Sequence, residues 1–312
     1  MLGALLFTSD IAAQTRSRPT RPRSERKSPT KPTAKTGSTD KVEFDLLYDF
    51  SLQAIPSKLT FVAIVPQTIP GRQEILDTEY STEPERIFKQ HGNTYAQFVF
   101  DKPAEQFQLK IRVEAKLSRY DMDTAKKAEK APPQEPNLAD FLKKEPYIEK
   151  DDPQIKQIAE TINAPTEIDT VKKIYDFVTD RLTYVVRNEE SGAVKTLREK
   201  RGGCTEYADL FVALCRAKNF PARVVKGYAT EYVSVPQHAW AEVYFKDYGW
   251  VPFDLTYGDV DEERIRARRF EKLKPIYIYL THTRNDPILA QAITVEGFWV
   301  GDVQLHDSIV FK

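Results

Sequence analysis

Cys204 follows directly on Gly202 and Gly203, and the apolar series Tyr207, Leu210, Phe211, Leu214 beyond it has helical spacing. A cysteine so placed sits at or just before a helix N-terminus. Unpaired N–H groups and the positive end of the helix dipole favour a thiolate there, the form a nucleophile needs. The same N–H groups can hold the oxyanion formed when the thiolate attacks a carbonyl. Gly202 and Gly203 let the backbone turn tightly and approach a substrate. The second cysteine, Cys215, lies eleven residues on, about 16 Å along the helix axis. Disulfide partners need Cα atoms within about 7 Å, so the pair should not bridge. Cys215 reads as a small buried hydrophobe.

A cysteine nucleophile needs a base, and the histidines downstream are His238, His282 and His306. His238 opens the alternating strand Gln237 to Phe245, and the connection Asp247-Tyr248-Gly249 leads into Trp250-Val251-Pro252-Phe253-Asp254. A three-residue loop ending in left-handed Gly249 predicts a hairpin with Lys246 facing Trp250 and Glu242 facing Asp254. His238 and Asp254 then share a sheet face, offset by four residues or about 13 Å. Twist, a bulge or a slipped register would have to shorten that offset. If it closes, Asp254 can fix the imidazole tautomer while the other ring nitrogen takes the thiol proton. A zinc site from Cys204, His238 and Asp254 is not expected, because no fourth ligand or close-spaced ligand pair accompanies them. No cofactor is expected.

The elements that must position these side chains are helical upstream and β-rich beyond. Pro153 to Ile162 and Thr166 to Leu182 read as helices, the second starting at Thr166 with Asp169 behind it. Tyr184-Val185-Val186 looks like a strand or its approach, and residues 276 to 310 hold the closing strands, in which His282 and His306 are expected to be structural or exposed. Asp259 to Lys274 mixes charge signs and reads as a solvated loop or helix. Before this region, 123–137 is charged, broken by proline and poor in large apolar groups, which marks a linker. Residues 42–122 show short alternating runs at 42–46, 58–65, 95–100 and 107–117 separated by turn residues, and predict an antiparallel β-sandwich. That segment holds no chemistry-bearing cluster, and His91 reads as a solvated turn residue.

The 312 residues carry 46 Lys and Arg against 46 Asp and Glu, yet the charges are segregated. Between Thr15 and Lys41 nine basic residues meet two acidic ones, a local net of +7, and residues 42 to 312 carry 37 basic against 43 acidic. The basic stretch has ten Ser or Thr, four Pro and no apolar periodicity between 15 and 40, so residues 15–41 predict a disordered tether. It lacks aromatics to stack on bases, so nucleic acid is not expected as a partner; loose contact with an anionic surface is. Residues 1–14 resemble the tail of a signal peptide, with an apolar run at Leu2 to Phe7 and small residues before Gln14, although the basic n-region is missing. An exported protein, periplasmic or secreted, is the expectation. No run reaches the roughly 18 to 20 apolar residues of a membrane span.

Several blocks together form a recognisable pattern: Thr196-Leu197, Gly203-Cys204 with Ala208 and Leu210-Phe211, Arg216-Ala217 with Pro221-Ala222-Arg223, Gly227-Tyr228, His238-Ala239-Trp240, and Gly249-Trp250-Val251-Pro252-Phe253-Asp254. In this order they resemble the catalytic core of the transglutaminase-like superfamily over roughly Ile168 to Asp259. The resemblance implies an α+β fold: a papain-like core at 138–312 after the sandwich, with Cys204 as nucleophile, His238 as base and Asp254 as the orienting carboxylate. The oxyanion partner beside the Cys204 amide is not fixed by a motif; Tyr184 is a candidate. Gly203, Trp240 and Trp250 are expected to support the site, the tryptophans as core residues that also wall it from water. The implied chemistry is acyl transfer on protein or peptide amides through a thioester, by hydrolysis as in a protease or amidase. Alternatives are transfer to a lysine amine, as in a crosslinking transglutaminase, and a non-catalytic peptide- or glycan-binding module.

Overall fold

The computed structural model describes residues 41–125, 137–186, 189–232, 236–296 and 303–312. The expected signal peptide and nearly all of the tether lie outside them, as does most of the linker. Six strands come first: β1 (Lys41–Leu52), β2 (Lys58–Val65), β3 (Gln73–Tyr80), β4 (Arg86–Gln90), β5 (Asn93–Asp101) and β6 (Gln106–Leu117). The core follows as α1 (Pro153–Thr161), α2 (Glu167–Arg181), β7 (Thr183–Tyr184), α3 (Gly192–Glu199), β8 (Arg201–Gly202), α4 (Cys204–Ala217), β9 (Ala222–Ala229), β10 (Gln237–Phe245), β11 (Gly249–Phe253), α5 (Leu255–Gly258), α6 (Glu263–Glu271) and β12 (Tyr277–Thr281). Two last strands, β13 (Ile293–Glu296) and β14 (Val303–Phe311), close the chain.

Alternation builds the sandwich. In β6 the residues Leu109, Ile111, Val113, Ala115 and Leu117 are buried at period two while their neighbours are not, which turns one face of the strand to the core. Two four-stranded antiparallel sheets result, in the orders β14-β1-β6-β3 and β13-β2-β5-β4. Their apolar faces meet around Phe44, Leu46, Leu59, Phe61, Phe98 and Ile111. Strands β3 and β4 carry no run of buried residues at period two, because each lies at a sheet edge, and the sequence shows no strand signal there.

The last two strands depart from expectation. Rather than closing the papain-like core, β14 pairs with β1 from Phe44 opposite Phe311 to Leu52 opposite Val303, and β13 pairs with β2. The sandwich is therefore made from both ends of the described chain, and the core is inserted between β6 and β13. Local alternation identifies a strand but carries no information on a partner some 250 residues away.

The core places helices against the antiparallel sheet β11-β10-β9-β12. Thr166 caps α2: its side chain accepts from the Asp169 N–H at 3.1 Å, and its hydroxyl donates to the Asp169 carboxylate at 2.7 Å. Val171, Ile174, Tyr175 and Val178 form the buried stripe of α2. Helix α4 is buried almost all round from Glu206 to Arg216, as a helix enclosed by other elements must be. Arg284, just past β12, donates from Nε and Nη2 to both carboxylate oxygens of buried Asp209 on α4, at 2.8 and 3.0 Å. Two residues on, Asp286 accepts from Tyr95 and Asn93 of β5 at 2.6 and 3.0 Å. One short loop thus ties the Cys204 helix to the sandwich. Among the described residues no helix is long and apolar enough to cross a membrane.

Candidate active site

Cys204 is the first residue of α4, with Gly203 at the N-cap. The helix start is fixed from below by Glu206, whose carboxylate accepts from the Gly203 N–H at 2.8 Å. Gly202 makes room for this: a Cβ there would lie 2.6 Å from the Glu206 Cβ. The Cys204 thiol is half-buried and Cys215 fully buried, and both are free. Burial pushes the Cys204 thiol up, but hydrogen bonding and charge from His238, with the Ala239 N–H, bring it below its ordinary value. For Cys215 burial outweighs the nearby charge of Arg216 and drives its thiol well above the ordinary range.

His238 lies at the start of β10, opposite Gly227 of β9, and only 8 % of its surface is exposed. The hairpin register decides its reach to Asp254. Phe245 pairs with Gly249 and Ala241 with Phe253, so the ladder is slipped by two residues from the predicted one. Gly249 adopts the expected left-handed conformation with φ of 68°, but it occupies the first pairing position rather than the last loop position. The slip cuts the offset between His238 and Asp254 from four residues to two, about 7 Å along the strand. It preserves the shared face, because the shift is even. Side chains cover the rest, and His238 Nε2 lies 2.7 Å from Asp254 Oδ2. This leaves Nδ1 for the cysteine.

Asp254 is fully buried and caps the short helix α5, its Oδ1 accepting from the Tyr257 N–H at 2.9 Å and from the Thr256 hydroxyl at 3.0 Å. The Tyr277 hydroxyl donates to Oδ2 at 2.7 Å. Burial raises the carboxyl, but the charge and hydrogen bond of His238, the Tyr257 amide and the Tyr277 hydroxyl hold it below the usual carboxylate value. For His238 burial favours the neutral ring, yet Asp254 and Cys204 raise its pKa to about 10. These shifts all act toward a thiolate and imidazolium beside an aspartate. Such a site can attack an acyl carbonyl and protonate the departing amine.

The supporting residues divide. The Trp240 ring stacks on His238 with centroids 6.0 Å apart and meets Tyr277 and Tyr279 edge-on at 5.1 and 4.8 Å, so it shields the imidazole. Trp250 does not. It stands opposite Tyr244, six residues along β10 from His238 or about 20 Å. There it packs on Phe141 at 4.8 Å and under the Arg223 guanidinium at 4.1 Å. Strand β10 runs away from His238, and β11 runs back from this far end to deliver Asp254 to the site. Tyr184 pairs opposite Gly202 in a two-residue parallel ladder, which brings it beside the Cys204 turn; its ring lies 6.5 Å from Tyr207.

Three contributors escaped the sequence reading. Thr256 stands two residues after a capping aspartate, a spacing that carried a usable signal. Tyr232, whose ring meets His238 edge-on at 5.2 Å, and Tyr277 stand in no local motif. His282, expected to be structural or exposed, is buried 4.0 Å from Glu242. Glu242 in turn holds Arg223 at 2.6 Å and lies 3.9 Å from Arg72. Among the described residues no group of three or more His, Cys, Asp or Glu is placed to hold a metal ion.

An antiparallel sheet backed by a buried helix with a cysteine at its tip, facing a strand histidine, defines an α+β core of the papain-like kind. Residues 156–255 match the transglutaminase-like superfamily, and this segment is a transglutaminase-like core. Two curated relatives match part of the chain. The uncharacterized protein YebA of Bacillus subtilis is 32 % identical over 112 residues, covering 29 % of this chain. The protein-glutamine gamma-glutamyltransferase of Pseudomonas aeruginosa is 32 % identical over 116 residues, covering 34 % of this chain. The chain spans only 15 % and 17 % of these relatives' lengths. A solved structure from Cytophaga hutchinsonii, described as a "Putative Cysteine Protease", is 20 % identical and superposes with a TM-score of 0.58 over 87 % of this chain and 91 % of that one. It shares the fold over nearly the whole length of both.

Proposed function

We propose that the protein is an acyl-transfer enzyme in which Cys204 is the nucleophile, His238 the general acid and base, and Asp254 the carboxylate that orients the imidazole. The observation that carries this reading is the buried contact of His238 Nε2 with Asp254 Oδ2 at 2.7 Å, which turns the other ring nitrogen to a thiol held at a helix N-terminus. The thiolate attacks an amide carbonyl, the Cys204 amide and Tyr184 face the oxyanion, and His238 passes its proton to the leaving amine as a thioester forms. Water then releases the acid, so the principal reading is peptide or amide hydrolysis by an exported protein. Export rests on the apolar run and small residues before Gln14. A second reading, transfer of the acyl group to a lysine amine, is favoured by the partial match to a protein-glutamine gamma-glutamyltransferase.

One experiment separates them. The protein and its Cys204→Ala variant are incubated with a mixed peptide and protein set, with and without a primary amine, and products are weighed by mass spectrometry. New termini or deamidated glutamine that depend on Cys204 indicate hydrolysis, and amine adducts on glutamine indicate transfer. No Cys204-dependent mass change would remove both readings and leave the binding module.

A further inference from the structure

Tyr277 lies on β12, outside the three residues of the proposed mechanism, and shares a single oxygen with His238. Its hydroxyl donates to Asp254 Oδ2 at 2.7 Å, and His238 Nε2 lies 2.7 Å from the same atom. The Tyr277 side chain is held in place by its ring, edge-on to Trp240 at 5.1 Å and 6.1 Å from the imidazole. The other carboxylate oxygen is occupied by Thr256 and the Tyr257 N–H. A buried carboxylate that accepts from two donors on one oxygen shares its charge between them. Each donor therefore weakens the pull the carboxylate exerts on the other.

We propose that Tyr277 is a positioning residue that limits how strongly Asp254 binds the protonated His238, so that the imidazolium remains acidic enough to protonate a departing amine. The inference rests on the catalytic reading of Cys204, His238 and Asp254. A general acid works best when its pKa lies near the working pH, and here Asp254 and Cys204, against the burial that lowers it, already raise His238 to about 10. Unopposed, the aspartate would raise it further. The groups facing the imidazole are Cys204 from α4, Asp254 from the end of β11, Tyr277 from β12 and Tyr232 from the loop after β9. Arg269 and Arg266 of α6 act on Tyr175, and Glu231 and Arg269 on Tyr232, one layer out. Of these, Tyr277 alone donates to the oxygen that faces His238.

The test is Tyr277→Phe, which removes one hydroxyl and keeps the ring. Two substrates with the same acyl group are compared, the anilide and the p-nitrophenyl ester of one blocked peptide. The anilide needs a proton on its leaving nitrogen and the ester does not. Loss of the hydroxyl is expected to cut anilide turnover by at least about tenfold and ester turnover by less than about threefold. In short iodoacetate pulses on folded protein, the alkaline fall in Cys204 alkylation should move to higher pH, because the donor that stabilised the carboxylate is gone. A structural role would lower anilide and ester together and leave the alkaline limb in place. Either result, parallel loss or an unmoved limb, overturns the proposal. The alkylation limb needs no substrate, so it reads Tyr277 even if the wild type turns over neither compound, an outcome that counts against the proposed function instead.

Discussion

Asp254 Oδ2 stands 2.7 Å from His238 Nε2, across a hairpin that separates the two residues by 16 positions in sequence. The contact depends on the pairing of Phe245 with Gly249. One more residue in the loop would turn every side chain of β11 to the other face and carry Asp254 away from the imidazole. His238 and Tyr277 meet Oδ2 of the Asp254 carboxylate, and Thr256 and the Tyr257 amide meet Oδ1.

Asp254→Asn therefore cannot be accommodated by flipping the amide. With the carbonyl oxygen toward His238 the NH2 group meets the Thr256 hydroxyl and the Tyr257 N–H, and in the flipped orientation it meets His238 and the Tyr277 hydroxyl, so either way an NH2 group is set against two donors. We expect kcat to fall by about 10²- to 10⁴-fold with a smaller change in KM, read from steady-state kinetics on whichever amide substrate the mass spectrometry identifies. Activity within about threefold of wild type would remove Asp254 from the mechanism.

Trp250→Leu separates the two tryptophans. Its ring contacts are Phe141, Tyr244 and Arg223, all at the far end of the sheet. Unfolding in urea should show a loss of roughly 1–3 kcal/mol, with kcat/KM within about twofold of wild type. A large fall in kcat without loss of stability would restore Trp250 to the site.

Acid should weaken the fold through His282. Burial, joined by the charges of Arg223 and Arg72 against the pull of Glu242, lowers its pKa from 6.5 to about 3. The unfolded chain thus takes up a proton below pH 6.5 that the folded chain refuses, and stability falls as pH drops. The slope is about 1.4 kcal/mol per pH unit, or about 2 kcal/mol between pH 6.5 and 5. His238 acts in the other window: with its pKa raised to about 10, its contribution is complete below pH 6.5 and is lost from there up to about 10. Urea denaturation of His282→Phe at pH 7 and 5 should show most of the acid loss removed. An unchanged difference between the two pH values would contradict the assignment.

The paired ends of the sandwich give another expectation. Deleting residues 303–312 removes nine residue pairs with β1 and the Lys312 ion pairs with Glu43 and Asp45. It also leaves β1 as a long open edge. The truncated protein should unfold at lower urea and associate in size-exclusion chromatography, although Cys204, His238 and Asp254 are untouched. Wild-type stability would mean that β14 adds nothing to the sandwich.

The sequence shows the parts of the site that are written locally. Cys204 announces itself by two glycines and a helical apolar series, His238 by the alternation of its strand, and the capping of α2 by Thr166 and Asp169. What it could not show are relationships set by tertiary packing. The two-residue slip depends on whether Gly249 ends the loop or opens the ladder, which single-strand periodicity does not distinguish. Tyr277, Tyr232 and Arg72 reach the core from distant segments with no spacing to mark them. Strands β13 and β14 read as strands but not as partners of β2 and β1, because their pairing energy lies in contacts formed only once the chain has closed on itself.

A thiolate and imidazolium pair between Cys204 and His238 in the folded protein is read from the rate of Cys204 alkylation by iodoacetate against pH, with buried Cys215 as the internal comparison. Cys204 is expected to react with an acid limb below the ordinary thiol value of 9.0, while Cys215 does not react until the protein unfolds. His238→Ala should return the limb to the ordinary range. A Cys204 that titrates as a free thiol, with a profile unchanged by His238→Ala, would contradict it.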